Sequence, residues 1–219
     1  MKRLGLTPLL VLAAISTALL VAATFTPYFP GDVALARWIQ GIAPPGVWAR
    51  AVTRAAYAPW IYGVLVVSAI AALRVAGWRG AAAMAVTFFA LMYVEDQIKA
   101  YIGRPRPDAA LAGYSMPSGW ALLFGATVGL LGALAWRNAR GAARGAYLAG
   151  SALVLLAGFA ARVTLGAHWP SDVIAGYLLA VTVGLALYEL LAGLKTRGRP
   201  TSPTPSRRSA AQRSSRPTR

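Results

Sequence analysis

The only histidine of this 219-residue chain, His168, stands in ARVTLGAHWPSD, residues 161–172, six residues after Arg162 and four before Asp172. A neutral imidazole can attack phosphorus and form a covalent phosphohistidine. A carboxylate on the other ring nitrogen fixes the tautomer and stabilises the positive charge that develops. Pro170 suits the first turn of a helix, which puts Asp172 in that turn and within reach of His168. The spacing therefore predicts His168 as nucleophile and Asp172 as its orienter.

Two further segments supply what a phosphate needs. KAYIGRPRP, residues 99–107, carries Lys99 and Arg106, and PSGW, residues 117–120, opens an apolar run. With Arg162 they offer three fixed cations, and the planar fork of arginine suits phosphate oxygens. Pro105 and Pro107 stiffen the loop that presents Arg106. Ser118 and the amide of Gly119 are placed at a helix N-terminus, where backbone donors and the dipole favour an anion. Each residue alone has an ordinary reading: snorkelling cations, a helix cap, an interfacial histidine. Glu95 and Asp96 read as site members or as partners for the cations, the second being preferred.

The elements that must position these segments are membrane helices. The chain is 58% hydrophobic and only 13% charged, and several segments reach the roughly 18 to 20 apolar residues that cross a bilayer core. Lipid offers no partner to an unpaired backbone, so the spans must be helical. Six are expected, at about 4–26, 59–75, 81–98, 118–136, 146–165 and 171–194. The fold class is all-α: a polytopic bundle of six transmembrane helices, with no soluble-type strand pattern and no internal repeat. The first span reads as an uncleaved helix, being longer than a usual signal core. Residues 27–57 read as an outer loop with short amphipathic helices along the interface.

Lysine and arginine set the orientation. With both termini in the cytoplasm, most of the 22 basic residues fall on that side. Arg37, Arg50, Arg54, Lys99, Arg104, Arg106 and Arg162 fall outside, and charges kept on the disfavoured side near membrane ends suggest a functional site. Residues 196–219 form a basic tail without an apolar run, expected to be disordered and to lie in the cytoplasm. The net charge of +16 therefore does not imply nucleic-acid binding, for which no aromatic platform or folded reader is present. With no cysteine and one histidine, disulfides, thiolate chemistry and two-histidine metal clusters are excluded. Gly125, Gly129 and Gly132 allow close helix packing or a homodimer seam, with lipid-facing filler an equal reading.

The spacing Lys99-x6-Arg106-Pro107, then Pro117-Ser118-Gly119, then Arg162-x5-His168-x3-Asp172 resembles the type 2 phosphatidic acid phosphatase (PAP2) superfamily, over roughly residues 30–190. The resemblance implies one PAP2-like membrane domain, residues 1–195, that removes phosphate from lipid phosphates or diphosphates without metal or cofactor. It implies His168 as nucleophile, Asp172 as orienter, and Lys99, Arg106, Ser118, Gly119 and Arg162 as phosphate ligands. A bacterial inner membrane, with the site on its outer face, is the expected setting. Two positions depart from the family pattern. Ala161 replaces a serine, and Trp120 replaces the histidine to which the family assigns protonation of the leaving group. An indole N–H is no general acid near neutral pH. Its presence points to a leaving group that needs no proton, and so to a lipid diphosphate such as polyprenyl (undecaprenyl) diphosphate. Water, Asp108 or Tyr114 as proton source, phosphotransfer to a second lipid, and a non-catalytic phospholipid-binding pseudophosphatase are the other readings.

Overall fold

The computed structural model describes residues 6–193. Lys2, Arg3 and the tail expected from residue 196 onward lie outside the described residues. Among the described residues there are seven helices: α1 (Leu6–Ala23), α2 (Asp32–Ile42), α3 (Val47–Arg54), α4 (Trp60–Ile102), α5 (Gly119–Asn138), α6 (Gly141–Thr164) and α7 (Pro170–Gly193). Among the described residues there is no strand. Five of these helices are long and apolar enough to cross a membrane.

Helix α4 contains 43 residues. Drawn straight it would be about 65 Å long at 1.5 Å per residue, twice the roughly 30 Å of a bilayer core. It is not straight. Gly77 adopts φ 70° and ψ −172°, a conformation that glycine enters without the steric cost of a Cβ. The chain doubles back there, and the rings of Tyr62 and Phe88 meet with centroids 6.4 Å apart. The two limbs, 60–76 and 78–102, correspond to the separate spans expected at 59–75 and 81–98. Five helices thus provide the expected six passes.

Helix α5 is the buried centre, enclosed by α4, α6 and α7. Small residues permit this. A Cβ at Gly125 would lie 2.8 Å from Cβ of Ala180, and one at Gly132 would lie 3.0 Å from the Ser151 side chain. One at Gly129 would lie 3.1 Å from Val181. These glycines therefore face neighbouring helices of the same chain, and neither a dimer seam nor lipid-facing filler describes them. Residues 125–129 run as a π-helical turn, which α5 continues without a break. Leucines such as Leu153 and Leu156 on α6 are exposed, as an apolar outer face against lipid requires.

The 27–57 segment folds as expected into two short helices. Helix α2 turns Ala36 and Ile39 inward and Trp38 outward. Helix α3 turns Ala49 inward and Val47 outward and packs against α6.

Candidate active site

The three motif segments meet at one end of the bundle. Lys99 is in the last turn of α4, Gly119 opens α5, Arg162 ends α6, and His168 precedes α7. Two contacts draw them together. The Ser118 amide donates to the Asp172 carbonyl at 3.2 Å. A Cβ at Gly176 would lie 2.8 Å from Cβ of Ala121, so α5 and α7 approach nearly backbone to backbone. The result is a cavity of about 200 Å³ lined by Lys99, Arg106, Gly119, Trp120, Arg162 and His168, together with Glu95, Thr53 and Tyr57. Phosphate is the natural occupant for three converging cations at a helix N-terminus.

Each cation is aimed. Arg106 spends Nε on the Ala112 carbonyl and one terminal nitrogen on the Ala167 carbonyl, both at 2.9 Å. Arg162 reaches the Thr53 hydroxyl at 3.4 Å, while its buried Nε has no protein partner. Lys99 pairs with Glu95 one helical turn earlier. Ser118 does not line the cavity. Its Oγ is fully buried and without a hydrogen-bond partner.

His168 is 1% exposed. Its Nδ1 lies 2.7 Å from the Ser115 carbonyl oxygen. A carbonyl only accepts, so Nδ1 carries the proton of the neutral ring and Nε2 keeps its lone pair. Burial pushes the imidazole pKa from 6.5 down to about 4, reinforced by Arg162 and Arg106 and opposed by Asp172. The ring is therefore neutral, with a free Nε2, at neutral pH.

Asp172 lies beside the ring without a direct hydrogen bond to it. Its Oδ2 lies 3.8 Å from Nδ1, beyond hydrogen-bond range, because both oxygens are engaged elsewhere. Oδ2 accepts the Trp169 amide at 2.7 Å, and Oδ1 accepts from Arg104 at 2.5 Å. Asp172 thus holds the His168 loop and acts on the ring as a nearby charge, while Ser115 fixes the tautomer.

Two residues that the spacing argument passed over hold this arrangement. Arg104 is 1% exposed. It donates to Asp172, to Asp32 at 2.8 Å, to Ser171 Oγ at 2.8 Å and to the Pro27 carbonyl at 3.1 Å. Asp32, at the start of α2, also accepts from the Ser171 amide and hydroxyl. The available signal was scarcity: Asp32 is one of only six acidic residues, and the expected orientation puts Arg104 among the few basic residues on the disfavoured side.

Trp120 is anchored. Its Nε1–H donates to the Val52 carbonyl at 3.1 Å, and its ring stacks on Phe124 with centroids 3.8 Å apart. A Cβ at Gly158 would fall inside that ring. The indole lines the cavity with its one donor already spent. Neither Asp108 nor Tyr114 lines it, and Asp108 instead accepts the Ala110 amide. Asp96 is exposed and also absent from the lining. Glu95 is present, both as a cation partner and as a member of the site.

A sequence model of the PAP2 superfamily matches residues 80–195. The crystal structure of the first transmembrane PAP2 type phosphatidylglycerolphosphate phosphatase from Bacillus subtilis superposes with a TM-score of 0.64. That likeness covers 89% of this chain and 98% of the other at 17% identity, and it is a likeness of fold. No curated protein matches the chain.

Proposed function

The chain belongs to the PAP2 superfamily, and from that premise we propose that this phosphatase hydrolyses a lipid diphosphate or phosphate at the outer face of the membrane through a phosphohistidine on His168. Lys99, Arg106 and Arg162 clamp the phosphate, and Gly119 at the N-terminus of α5 meets its remaining oxygens. Nε2 of His168 attacks phosphorus. The Nδ1–H bond to Ser115 persists as the ring becomes positive, and Asp172 stabilises that charge from a short distance. No metal is required in this scheme.

The single observation that carries the reading is the meeting of a neutral, carbonyl-anchored imidazole with three cations around one cavity. A pure anion binder has no use for a free Nε2.

Trp120 supports the diphosphate over the monoester. General acid help is worth about 10² to 10⁴ in rate, and the indole N–H is committed to Val52. The loss falls hardest on an alkoxide, comparable in basicity to hydroxide from water with pKa about 15.7. It falls lightly on a departing phosphate, whose second pKa is about 6. Polyprenyl diphosphate is the favoured substrate.

The test is phosphate release by the purified full-length protein from lipid mono- and diphosphates, with vanadate as competitor. Release from diphosphates, inhibition by vanadate and loss of turnover in His168→Ala with retained lipid binding are expected. No turnover in the parent protein would make it a phospholipid-binding pseudophosphatase, and a clear preference for monoesters would reject the diphosphate assignment.

A further inference from the structure

Hydrolysis through a phosphohistidine has a second half, and that half needs a base. Once phosphorus is bonded to Nε2, the imidazole no longer has a lone pair to activate water. Trp120 cannot accept a proton, and Lys99, Arg106 and Arg162 are donors only. The hydroxyls of Thr53 and Tyr57 are weak bases near neutral pH. Among the described residues lining the cavity, Glu95 is the only carboxylate.

Its placement is specific. The carboxylate lies directly against Gly119, so closely that any Cβ at residue 119 would collide with its oxygens. Gly119 therefore opens the N-terminus of α5 and also leaves room for Glu95 beside the phosphate position. The side chain is only 19% exposed, and Lys99 pairs with it one turn away. An ionised carboxylate in such a pair accepts hydrogen bonds and does not donate them. Its negative charge weakens anion binding, which gives a mere binding pocket no reason to place it there.

We infer that Glu95 is the general base that activates water for breakdown of the phosphohistidine, a catalytic residue outside the three spaced motifs. The inference rests on the reading that His168 takes the phosphoryl group. In the first step Nε2 bonds to phosphorus as the bond to the leaving oxygen breaks. The lipid phosphate departs with the electron pair and needs no proton. In the second step a water oxygen bonds to phosphorus as the P–Nε2 bond breaks and its electron pair returns to the ring. The water proton passes to the Glu95 carboxylate and from there to solvent. Lys99 holds the carboxylate in place before the transfer and a phosphate oxygen during it.

The experiment uses full-length protein with a prenyl diphosphate labelled in its terminal phosphate. With Glu95→Gln, one equivalent of prenyl monophosphate per protein should be released rapidly. Steady-state release should then fall by about 10² to 10³, within the range for general base catalysis, while acid-labile label accumulates on the protein. Vanadate should bind Glu95→Gln more tightly than the parent, since a negative charge is gone. Hydroxylamine, a stronger nucleophile than water, should discharge the label and restore turnover, showing that the variant is folded. Glu95→Asp, which keeps the carboxylate, should stay within about tenfold of the parent. Unchanged steady-state turnover in Glu95→Gln, or a lost burst in a variant that still binds vanadate, overturns the inference and leaves His168 as nucleophile. An inactive parent overturns both.

Discussion

Arg104 and Arg106 are two residues apart, carry the same side chain and serve opposite ends. Arg104 is sealed behind the site, its donors consumed by Asp32, Asp172, Ser171 and the Pro27 carbonyl. Arg106 is only half-buried, anchored by two backbone carbonyls, and lines the cavity beside His168. In a low-dielectric interior a guanidinium between two carboxylates joins elements, here α2 and the start of α7 to the loop after α4. A guanidinium held by neutral carbonyls keeps its charge available for an incoming anion. The difference lies in what surrounds each charge.

Breaking the sealed region should have the largest effect. Arg104→Met leaves two buried carboxylates uncompensated and should cost about 3 to 5 kcal/mol of stability, read as a large drop in thermal melting in detergent. Arg106→Met should leave melting within about 1 kcal/mol of the parent. It should instead lower kcat/KM by about 10- to 150-fold, the worth of about 1.5 to 3 kcal/mol for a hydrogen bond to a charged group. If both variants lose stability alike, the division of labour between the two arginines is wrong.

Smaller effects sharpen the picture. Trp120→His restores a titratable ring at the cavity wall. The ratio of monoester to diphosphate turnover should rise by about 100-fold, the lower end of the general-acid range. Using the ratio cancels the packing lost against Phe124 and Gly158. An unchanged ratio would mean that the missing acid does not set the substrate preference.

The mildest prediction concerns pH. An ordinary histidine gains its proton as pH falls through about 6.5. For His168 that point is pushed down to about 4, and only the neutral ring is a nucleophile. The rapid burst of prenyl monophosphate in Glu95→Gln should therefore keep its rate constant from pH 7 to pH 5 and fall only on approach to pH 4. Loss of the burst near pH 6.5 would show that the ring is not buried as described.

Much of the candidate site was legible in advance because its parts are local. Lys99, Arg106, Ser118, Gly119, Arg162 and His168 announce themselves by type and short-range spacing. Gly77 lies between two apolar runs, so the reversal inside α4 was readable as a gap between spans. Glu95 was visible one helical turn before Lys99, yet an i,i+4 pair on a helix is ordinarily just that. Only its contact with Gly119 makes it a site member.

Sequence alone determined that this is an all-helical membrane chain with a set of cations spaced around one imidazole, since hydropathy runs and motif spacing are properties of neighbours along the chain. Tertiary structure decided who holds the cluster in place: the Ser115 carbonyl on His168, Asp32 on Arg104, Val52 on Trp120. Those partners lie 53 to 72 residues apart. Which donor finds which acceptor at such separations depends on how the helices pack, and residue type alone does not encode it.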